Sequence, residues 1–333
     1  MGIYRCNQCG YVSEDAVSAV GAKVPCGKCG AACTVYGTVF YVEKLVERYF
    51  AALRELAALK AAETGTDAVE APASQSQEAQ APLSGDAFNT DELATAAQHQ
   101  PLQTWLAARQ IQASFDFSAV DTTGFFDDAA KALGDGYGLF AELMERVRFS
   151  YRKSFSWLNL ELGGLSQKDA QAVNGLCRKL HSYTFFSRYT YQKQEKIVRL
   201  TLQPAPAVRA FFEGGWLEWY AFIELLTLLH AGGRAFSCAR GVKVTFPNED
   251  LHELDVIFLP QGQTPICIEC KTGEFRQDIE KYLRLKRRLG VERNRFIICA
   301  TDLSDAQAAG LNSMYDLTFV SLGSLHAHLK TLL

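Results

Sequence analysis

Two apolar segments in the last third of the chain contain residues that could hydrolyse a phosphodiester bond. Asp255 enters the apolar run 254–259, and the next apolar run ends with Glu269 and Lys271. Alternate residues of a strand share a face, so Glu269 and Lys271 would lie together, with Asp255 beside them if the two strands form a hairpin. Carboxylate oxygens suit Mg²⁺ or Mn²⁺, and such an ion polarises a phosphoryl oxygen and activates a bound water. The lysine could orient that water or stabilise the developing negative charge, so the pattern indicates metal-dependent phosphodiester hydrolysis.

Three further acidic residues compete for roles in this group. Glu253 would share a strand face with Asp255 and could be the ligand in its place, although the apolar residues directly after Asp255 favour Asp255. Glu274 follows a few residues later and could also approach a metal ion. Glu218 stands in a strongly apolar segment, where a lone charge is costly, so it needs a metal ion or a basic partner. Without the other motifs, the Glu-x-Lys pair has a less favoured alternative as an exposed ion pair at a strand end.

Four cysteines near the start of the chain have the spacing of a zinc ribbon. Cys6 and Cys9 form one C-x2-C pair, Cys26 and Cys29 form a second, and a glycine follows each pair. Two cysteines on such a tight turn direct both sulfurs at one ion, and two turns complete a closed tetrahedral Zn²⁺ site. A closed site leaves no position for water, so we expect a structural zinc ion. Cys33 could replace Cys29, whereas two disulfides are disfavoured because the chain resembles an intracellular protein.

The segment that carries the acidic group, residues 207–333, mixes strand and helix patterns. The predicted elements are a helix at Gly215–Leu229, strands at Arg240–Phe246, Leu254–Leu259, Pro265–Cys270, Arg295–Ala300 and Thr318–Leu322, and a basic helix at Gln277–Leu289. This mixture predicts an α/β fold, α+β overall, with a mixed central sheet and flanking helices.

The order of these elements resembles the core of the PD-(D/E)XK nuclease superfamily. A helix with Glu218, a strand with Asp255 and a strand with Glu269-Cys270-Lys271 precede a further helix and strand. The segments GGWLEWY, ELDVIF and IECKTG are most similar to the nuclease domain of CARF-linked ancillary nucleases of type III CRISPR systems. The resemblance covers a little more than a third of the chain and implies a restriction-endonuclease-like fold and a role in antiviral defence. It also implies Asp255 and Glu269 as Mg²⁺ or Mn²⁺ ligands, Lys271 as the catalytic lysine and Glu218 as an accessory acid.

The chain departs from that family in two respects. The CARF-linked enzymes carry an amino-terminal nucleotide-sensing domain, for which the sequence shows no matching segment, so activation by a cyclic oligonucleotide is not implied. The superfamily usually has a proline before its first acid, whereas Leu254 precedes Asp255 here. Because that proline is not a metal ligand, its replacement leaves the predicted ligand set intact.

Composition divides the rest of the chain into four segments. They are a zinc ribbon at 1–38, an amphipathic helix at 39–63, a flexible linker at 64–89 and a mixed module at 90–206. Apolar residues three and four positions apart predict the amphipathic helix, which could supply a homodimer interface. The linker is rich in Ala, Ser, Gln, Glu and Pro. A predicted strand, helix and hairpin in the mixed module are compatible with a winged-helix-like fold.

The mixed module also contains the most basic stretch of the chain. Residues 146–199 include eleven Lys or Arg and three Asp or Glu, interleaved with aromatic residues. Cations neutralise phosphates and exposed aromatic rings stack on bases, so we predict that this stretch binds nucleic acid. The candidate contacts are Arg146, Arg148, Arg152, Lys153, Arg178 and Lys179. The competing interpretation is a solvated basic face over an aromatic core.

The length, net charge and apolar runs of the whole chain exclude further classes of protein. It has 333 residues and a net charge of −3, so it is not polybasic overall. No apolar run is long enough to cross a membrane and the first residues form no signal peptide, which predicts a cytoplasmic protein without a membrane partner. We therefore predict a metal-dependent nuclease acting on DNA, RNA or both, whose other partner is a second copy or a defence-system protein. The alternative is a non-enzymatic nucleic-acid-binding adaptor with an inactive nuclease fold.

Overall fold

The computed structural model divides the chain into two compact units, residues 1–78 and 79–333. It describes residues 2–6, 8–15, 17–38, 93, 95–116, 125–233, 235–247 and 251–333. The amphipathic helix predicted at 39–63 and the linker predicted at 64–89 lie outside the described residues.

The first unit consists of short antiparallel strands. They are β1 (Gly2–Arg5), β2 (Val12–Asp15), β3 (Lys23–Pro25), β4 (Ala32–Thr34) and β5 (Tyr36–Gly37). Strand β1 pairs with β2 and β5, and β3 pairs with β4. The buried cluster consists of Tyr4, Cys6, Cys26, Cys33 and Val35. So small a core rarely stabilises a fold without a metal ion or disulfides.

The second unit is built on a mixed six-stranded sheet. The strands of the whole unit, in chain order, are β6 (Gln112–Ser114), β7 (Trp157–Glu161), β8 (Phe186–Gln192), β9 (Ile197–Leu202), β10 (Phe236–Thr245), β11 (Leu251–Pro260), β12 (Ile266–Lys271), β13 (Phe296–Ala300) and β14 (Thr318–Ser321). The central sheet has the order β14-β13-β12-β11-β10-β6. Strands β12, β13 and β14 are parallel and the remaining pairs are antiparallel. The predicted mixed central sheet is confirmed.

Helices of the second unit pack on the six-stranded sheet and on the three-stranded sheet β7-β9-β8. They are α1 (Ala96–Ala107), α2 (Phe125–Asp135), α3 (Tyr137–Arg152), α4 (Gln167–Ser182), α5 (Pro206–Ala210), α6 (Trp216–Ala231), α7 (Ile279–Leu289), α8 (Asp305–Met314) and α9 (Leu325–Leu332). A π-helical turn, Phe211–Gly215, joins α5 to α6. Gly290 ends α7 in the left-handed conformation that terminates many helices. None of the helices in the described ranges is long and apolar enough to cross a lipid bilayer.

The sheet buries both of its faces, because successive side chains of its central strands point to opposite sides. Val256, Phe258 and Ile268 pack in one cluster with α6, which is apolar on nearly all sides and largely buried. Ile257 and Cys267 pack in a second cluster, on the side of α7. The acidic residues lie between these two layers, where the central strands β11 and β12 separate.

The segment 95–116 belongs to the central sheet, although composition grouped it with the mixed module at 90–206. Strand β6 pairs with β10, and Gln98 of α1 donates a hydrogen bond to the carbonyl of Phe236 at 3.2 Å. Three residues are too few for a strand pattern to be recognised in sequence. The predicted strand, helix and hairpin form β7, α4 and the pair β8–β9, in a separate sheet of order β7-β9-β8. One buried cluster contains residues from both sides of the predicted boundary at 206/207, so these segments share a core.

Candidate active site and cysteine cluster

Asp255 lies where β11 and β12 separate. Their pairing ends with Val256 opposite Ile268, and the amide N–H of Cys270 donates instead to Asp255 Oδ2 at 2.7 Å. The carboxylate therefore replaces a backbone carbonyl as acceptor. This hydrogen bond fixes Asp255 beside the end of β12, where Glu269 and Lys271 are found.

Lys271 lies between the carboxylates of Asp255 and Glu269, the two metal ligands predicted from the sequence. Its Nζ is 3.2 Å from Asp255 Oδ2 and 3.4 Å from Glu269 Oε2, and 5.4 Å from the ring centre of the buried Tyr282 on α7. Burial opposes the charge on Lys271, but the carboxylates of Asp255 and Glu269 outweigh it and raise the pKa of the lysine. The predicted grouping of Asp255, Glu269 and Lys271 is thus present in space, and the lysine remains a cation.

Glu269 is the least solvated member of the group. Its side chain is 4% exposed, and burial together with the nearby charge of Asp255 raises its pKa to about 8. Its Oε1 has no hydrogen-bond partner among the residues that the structure describes. A buried carboxylate oxygen without a partner is unfavourable unless a ligand satisfies it. The hard oxygen donors of Glu269 and Asp255 fit a divalent cation such as Mg²⁺ or Mn²⁺.

Glu218 of α6 has a basic partner. Its Oε2 accepts a hydrogen bond at 2.8 Å from Arg240 of β10, and the guanidinium of Arg240 lies 4.0 Å from the ring centre of Trp219. Burial, followed by the charge of Asp255, raises the pKa of Glu218 to about 7. Sequence reasoning gave Arg240 no role, although a cation inside an otherwise apolar strand could have suggested a buried acidic partner.

The three carboxylates do not form a compact ligand set. Apart from four cysteines, no three His, Cys, Asp or Glu side chains in the described ranges have ligand atoms within 4.8 Å of one another. Of the alternatives, Glu274 accepts hydrogen bonds from the backbone N–H groups of Phe275 and Arg276, and the bond from Arg276 contributes most to lowering its pKa. Glu253 lies over Gly241, where an added Cβ would be 3.5 Å from its Oε1. Asp255 and Glu269 are therefore the better placed pair.

A cleft of about 430 Å³ opens beside this group. Glu218 and Lys271 line it, together with the turn 211–215 and the loop 272–274. Gly214 has a φ of 156° and approaches the loop so closely that a Cβ would be 3.2 Å from Thr272 Oγ1. The glycines were visible in the sequence, but the π-helical turn that uses them was not predicted.

The predicted basic contacts differ in their partners and in their exposure. Arg148 of α3 donates to the carbonyl of Thr272 at 3.2 Å, which joins α3 to the loop after Lys271. Arg146 pairs with Glu142 at 2.9 Å and Lys179 pairs with Asp128 at 2.7 Å. Arg152, Lys153 and Arg178 are exposed. Helix α4, which carries Arg178 and Lys179, packs on the buried face of the β7-β9-β8 sheet and contacts α3.

In the first unit, the four predicted cysteines converge. The sulfurs of Cys6 and Cys29 are 3.5 Å apart, those of Cys9 and Cys26 are 3.6 Å apart, and all four lie within 4.8 Å of one another. A tetrahedral zinc site with Zn–S of about 2.3 Å requires sulfurs about 3.8 Å apart. Cys33 is buried in the core, its thiol bonds the carbonyl of Ala31, and burial first of all raises its pKa to about 11. The geometry therefore favours Cys29 over Cys33.

The two cysteine turns have the same backbone hydrogen bonds. The N–H of Gly10 donates to the carbonyl of Cys6, and the N–H of Gly30 donates to that of Cys26, each at 2.9 Å. Both glycines have positive φ, 74° and 75°, which side chains rarely adopt. The glycine after each C-x2-C pair is thus required by the turn.

No protein family model and no curated protein sequence matches this chain. It is similar to the crystal structure of protein VC1899 from Vibrio cholerae, with 21% identity and a TM-score of 0.46 over 68% of this chain. It is also similar to the structure of Can2 from Sulfobacillus thermosulfidooxidans in complex with cyclic tetra-adenylate, with 16% identity and a TM-score of 0.47 over 69% of this chain. The aligned part spans 59% of the length of each of those chains.

Proposed function

We propose that this protein is a metal-dependent nuclease of the PD-(D/E)XK type, in which Asp255 and Glu269 hold Mg²⁺ or Mn²⁺. The observation that supports this most strongly is the buried Oε1 of Glu269, which has no hydrogen-bond partner within the described residues and lies in a side chain next to Lys271 and Asp255. When bound, the ion would polarise a phosphoryl oxygen and make water a better nucleophile at neutral pH.

Other residues at or near the cleft supply charge stabilisation, an accessory acid and positive charge for binding the substrate. Lys271 keeps its positive charge and lines the cleft, so it can stabilise the negative charge that develops on a phosphoryl oxygen. Glu218 lines the same cleft as an accessory acid, and its ion pair with Arg240 fixes its position. Arg148 ties α3, with its cations Arg152 and Lys153, to the loop that forms one wall of the cleft, which suits a polyanionic substrate.

The cysteine cluster extends the proposal to a structural Zn²⁺ ion held by Cys6, Cys9, Cys26 and Cys29. Four thiolates close the coordination sphere, so this ion would stabilise the first unit and take no part in hydrolysis. The resemblance of the sequence motifs to CRISPR ancillary nucleases extends the proposal to a role in antiviral defence, in which the natural substrate is foreign or cellular nucleic acid.

A cleavage assay tests the nuclease proposal. The full chain is incubated with Mg²⁺ or Mn²⁺ and labelled single- and double-stranded DNA and RNA, beside Glu269→Gln and the control Glu280→Gln, which alters an exposed carboxylate of α7. We expect the parent and the control to cleave at least one substrate and Glu269→Gln to lose activity by orders of magnitude, because the cation loses a charged ligand. Calorimetric titration with Mn²⁺ should show the matching loss of affinity.

Two results would contradict the proposal. A parent protein that binds nucleic acid but cuts none of the substrates would support the non-enzymatic adaptor instead. Equal cleavage by the parent and Glu269→Gln would show that Glu269 is not a ligand of the catalytic ion. Unfolding curves of all three proteins establish that each variant is folded.

A further inference from the structure

The mixed module exposes aromatic side chains next to the candidate active site. Phe149 at the end of α3, Phe155 and Trp157 are 47%, 54% and 62% exposed. The ring centres of Phe149 and Phe155 are 6.2 Å apart, and Trp157, two residues after Phe155, begins β7. Most other large aromatic residues of this module are buried or partly buried, so these three rings are not part of the core.

The rings stand among cations. No acidic residue occurs between Glu145 and Glu161, whereas this stretch contains Arg146, Arg148, Arg152 and Lys153. Arg152 and Lys153 are exposed and lie three and four residues after Phe149, which places them on the same side of α3. Exposed aromatic rings beside cations complement the two parts of a nucleotide, the base and the phosphate.

The outer face of the β7-β9-β8 sheet continues this surface. Trp157 pairs with Thr201, and Thr201 pairs with Arg188 on the far strand. Arg199 lies two residues before Thr201 on the central strand, so its side chain projects from the same face as that of Thr201. Directly opposed residues of neighbouring strands project from the same face. Trp157, Arg188 and Arg199 therefore share the solvent-facing side of the sheet, where all three are exposed.

The surface reaches the cleft through α3. Arg148 precedes Phe149 and donates to the carbonyl of Thr272 at 3.2 Å, and Thr272 follows Lys271 directly. A chain of nucleotides lying across the aromatic rings would therefore need only a short further path to enter the cleft. Stacking requires unpaired bases, because the base faces of a duplex are already covered by neighbouring pairs.

We infer that Phe149, Phe155 and Trp157, together with Arg152, Lys153, Arg188 and Arg199, form a stacking surface that binds single-stranded nucleic acid and leads it to the cleft. Binding to the surface is independent of hydrolysis. Delivery to the cleft rests on the proposed nuclease function and names the form of its substrate. A nucleic-acid strand complements both features, because it offers bases to the rings and phosphates to the cations.

Fluorescence anisotropy tests the surface without requiring cleavage. Labelled oligothymidylate and a DNA duplex of equal length are titrated with the full chain in the absence of added Mg²⁺ and Mn²⁺, and gels confirm that the probes remain intact. We expect the single strand to bind more tightly, and Trp157→Ala and Phe155→Ala each to weaken its binding about 5- to 150-fold, the range for loss of one stacked base. Trp157→Phe, which keeps a ring, should bind nearly as the parent does.

Matched controls separate stacking from general damage. Leu251→Ala removes an apolar side chain that is also 62% exposed but lies on β11, and it should leave binding unchanged. Arg188→Gln and Arg199→Gln should each reduce the slope of log affinity against log salt by about 0.7. Lys330→Gln, which alters an exposed cation of α9, should not change it. Unfolding curves establish that the exposed-site variants keep the stability of the parent.

The inference is overturned if the alanine variants bind oligothymidylate as the parent does, or if the parent prefers the duplex. It is also overturned if Trp157→Ala changes the sedimentation of the protein from dimer to monomer while oligonucleotide binding stays constant, since the rings then form a protein interface. A parent that binds by this surface but never cleaves would refute the nuclease function and leave the surface standing. A parent that cleaves while the aromatic variants bind normally would refute the stacking surface and support the nuclease function.

Discussion

Lys271 is held by two carboxylates that would repel each other without it. Its Nζ lies within 3.4 Å of an oxygen of both Asp255 and Glu269, and all three side chains are largely removed from water. Removing one partner from a buried ionic group generally destabilises a protein, because the remaining charge is left uncompensated. A bound divalent cation would supply positive charge to the same two carboxylates. The lysine and the cation therefore stabilise the same carboxylates in different ways, and a variant can separate them.

We predict that Lys271→Ala lowers the free energy of unfolding in the absence of divalent ions, and that Mg²⁺ or Mn²⁺ restores more stability to it than to the parent. Metal affinity should persist because lysine is not a ligand, whereas cleavage should fall about 10²–10³-fold, the usual effect of losing one group that stabilises the transition state. Denaturant curves with and without Mn²⁺ measure the first effect, and Lys330→Ala, which changes an exposed lysine of α9, is the control. Equal responses to Mn²⁺ in the parent and Lys271→Ala would show that no cation binds beside this lysine.

At the scale of elements, sequence patterns located those parts that depend on residue type and spacing. The apolar runs around Asp255 and Glu269 correspond to β11 and β12, because buried central strands need apolar residues on both faces. The pairing of Glu218 with Arg240, and the position of Tyr282 against Lys271, depend on how a helix packs on a strand, which periodicity within either element does not reveal. Strand β6 is too short to have a pattern, so its pairing with β10 could not be predicted.

The turn 211–215 is another element that sequence periodicity does not predict. The backbone of Gly214 is not helical, so the chain is kinked where α5 meets α6. Here the turn places the backbone of Gly214 against Thr272, so that two backbone segments form the walls of the cleft. A side chain at this glycine would meet both an unfavourable φ and a close contact.

We predict that Gly214→Ala lowers the free energy of unfolding by about 1–3 kcal/mol, the usual cost of holding a residue in a sparsely populated backbone region. Cleavage should also fall, because relief of the contact with Thr272 shifts one wall of the cleft. Gly163→Ala is the control, since a Cβ there meets no atom within 4 Å and its φ is not positive. Urea unfolding of both variants checks the prediction, and similar stabilities for the two would mean that the turn tolerates a side chain.

At the scale of the whole molecule, the two compact units have separate buried clusters. The core of the first unit contains Tyr4, Val35 and three cysteines, whereas the clusters of the second unit draw no described residue from 1–78. The second unit buries both faces of a six-stranded sheet, so it has ample apolar area to be stable on its own. The first unit does not, and its stability should depend on the metal ion that its cysteines can hold.

We predict that Cys6→Ser removes one zinc ion per chain and unfolds the first unit, while the cooperative unfolding of the second unit keeps its midpoint. Cys33→Ala is the matched control: it also removes a buried thiol, but we expect it to keep the zinc ion because Cys33 lies in the core rather than in the four-sulfur cluster. Elemental analysis of protein prepared without chelator gives the zinc content, and hydrogen exchange reports the two units separately. Zinc lost from Cys33→Ala but retained by Cys29→Ser would place Cys33 in the site, and a parent without zinc would refute the ribbon. A shift in the second unit's midpoint caused by Cys6→Ser would show that its stability depends on the first.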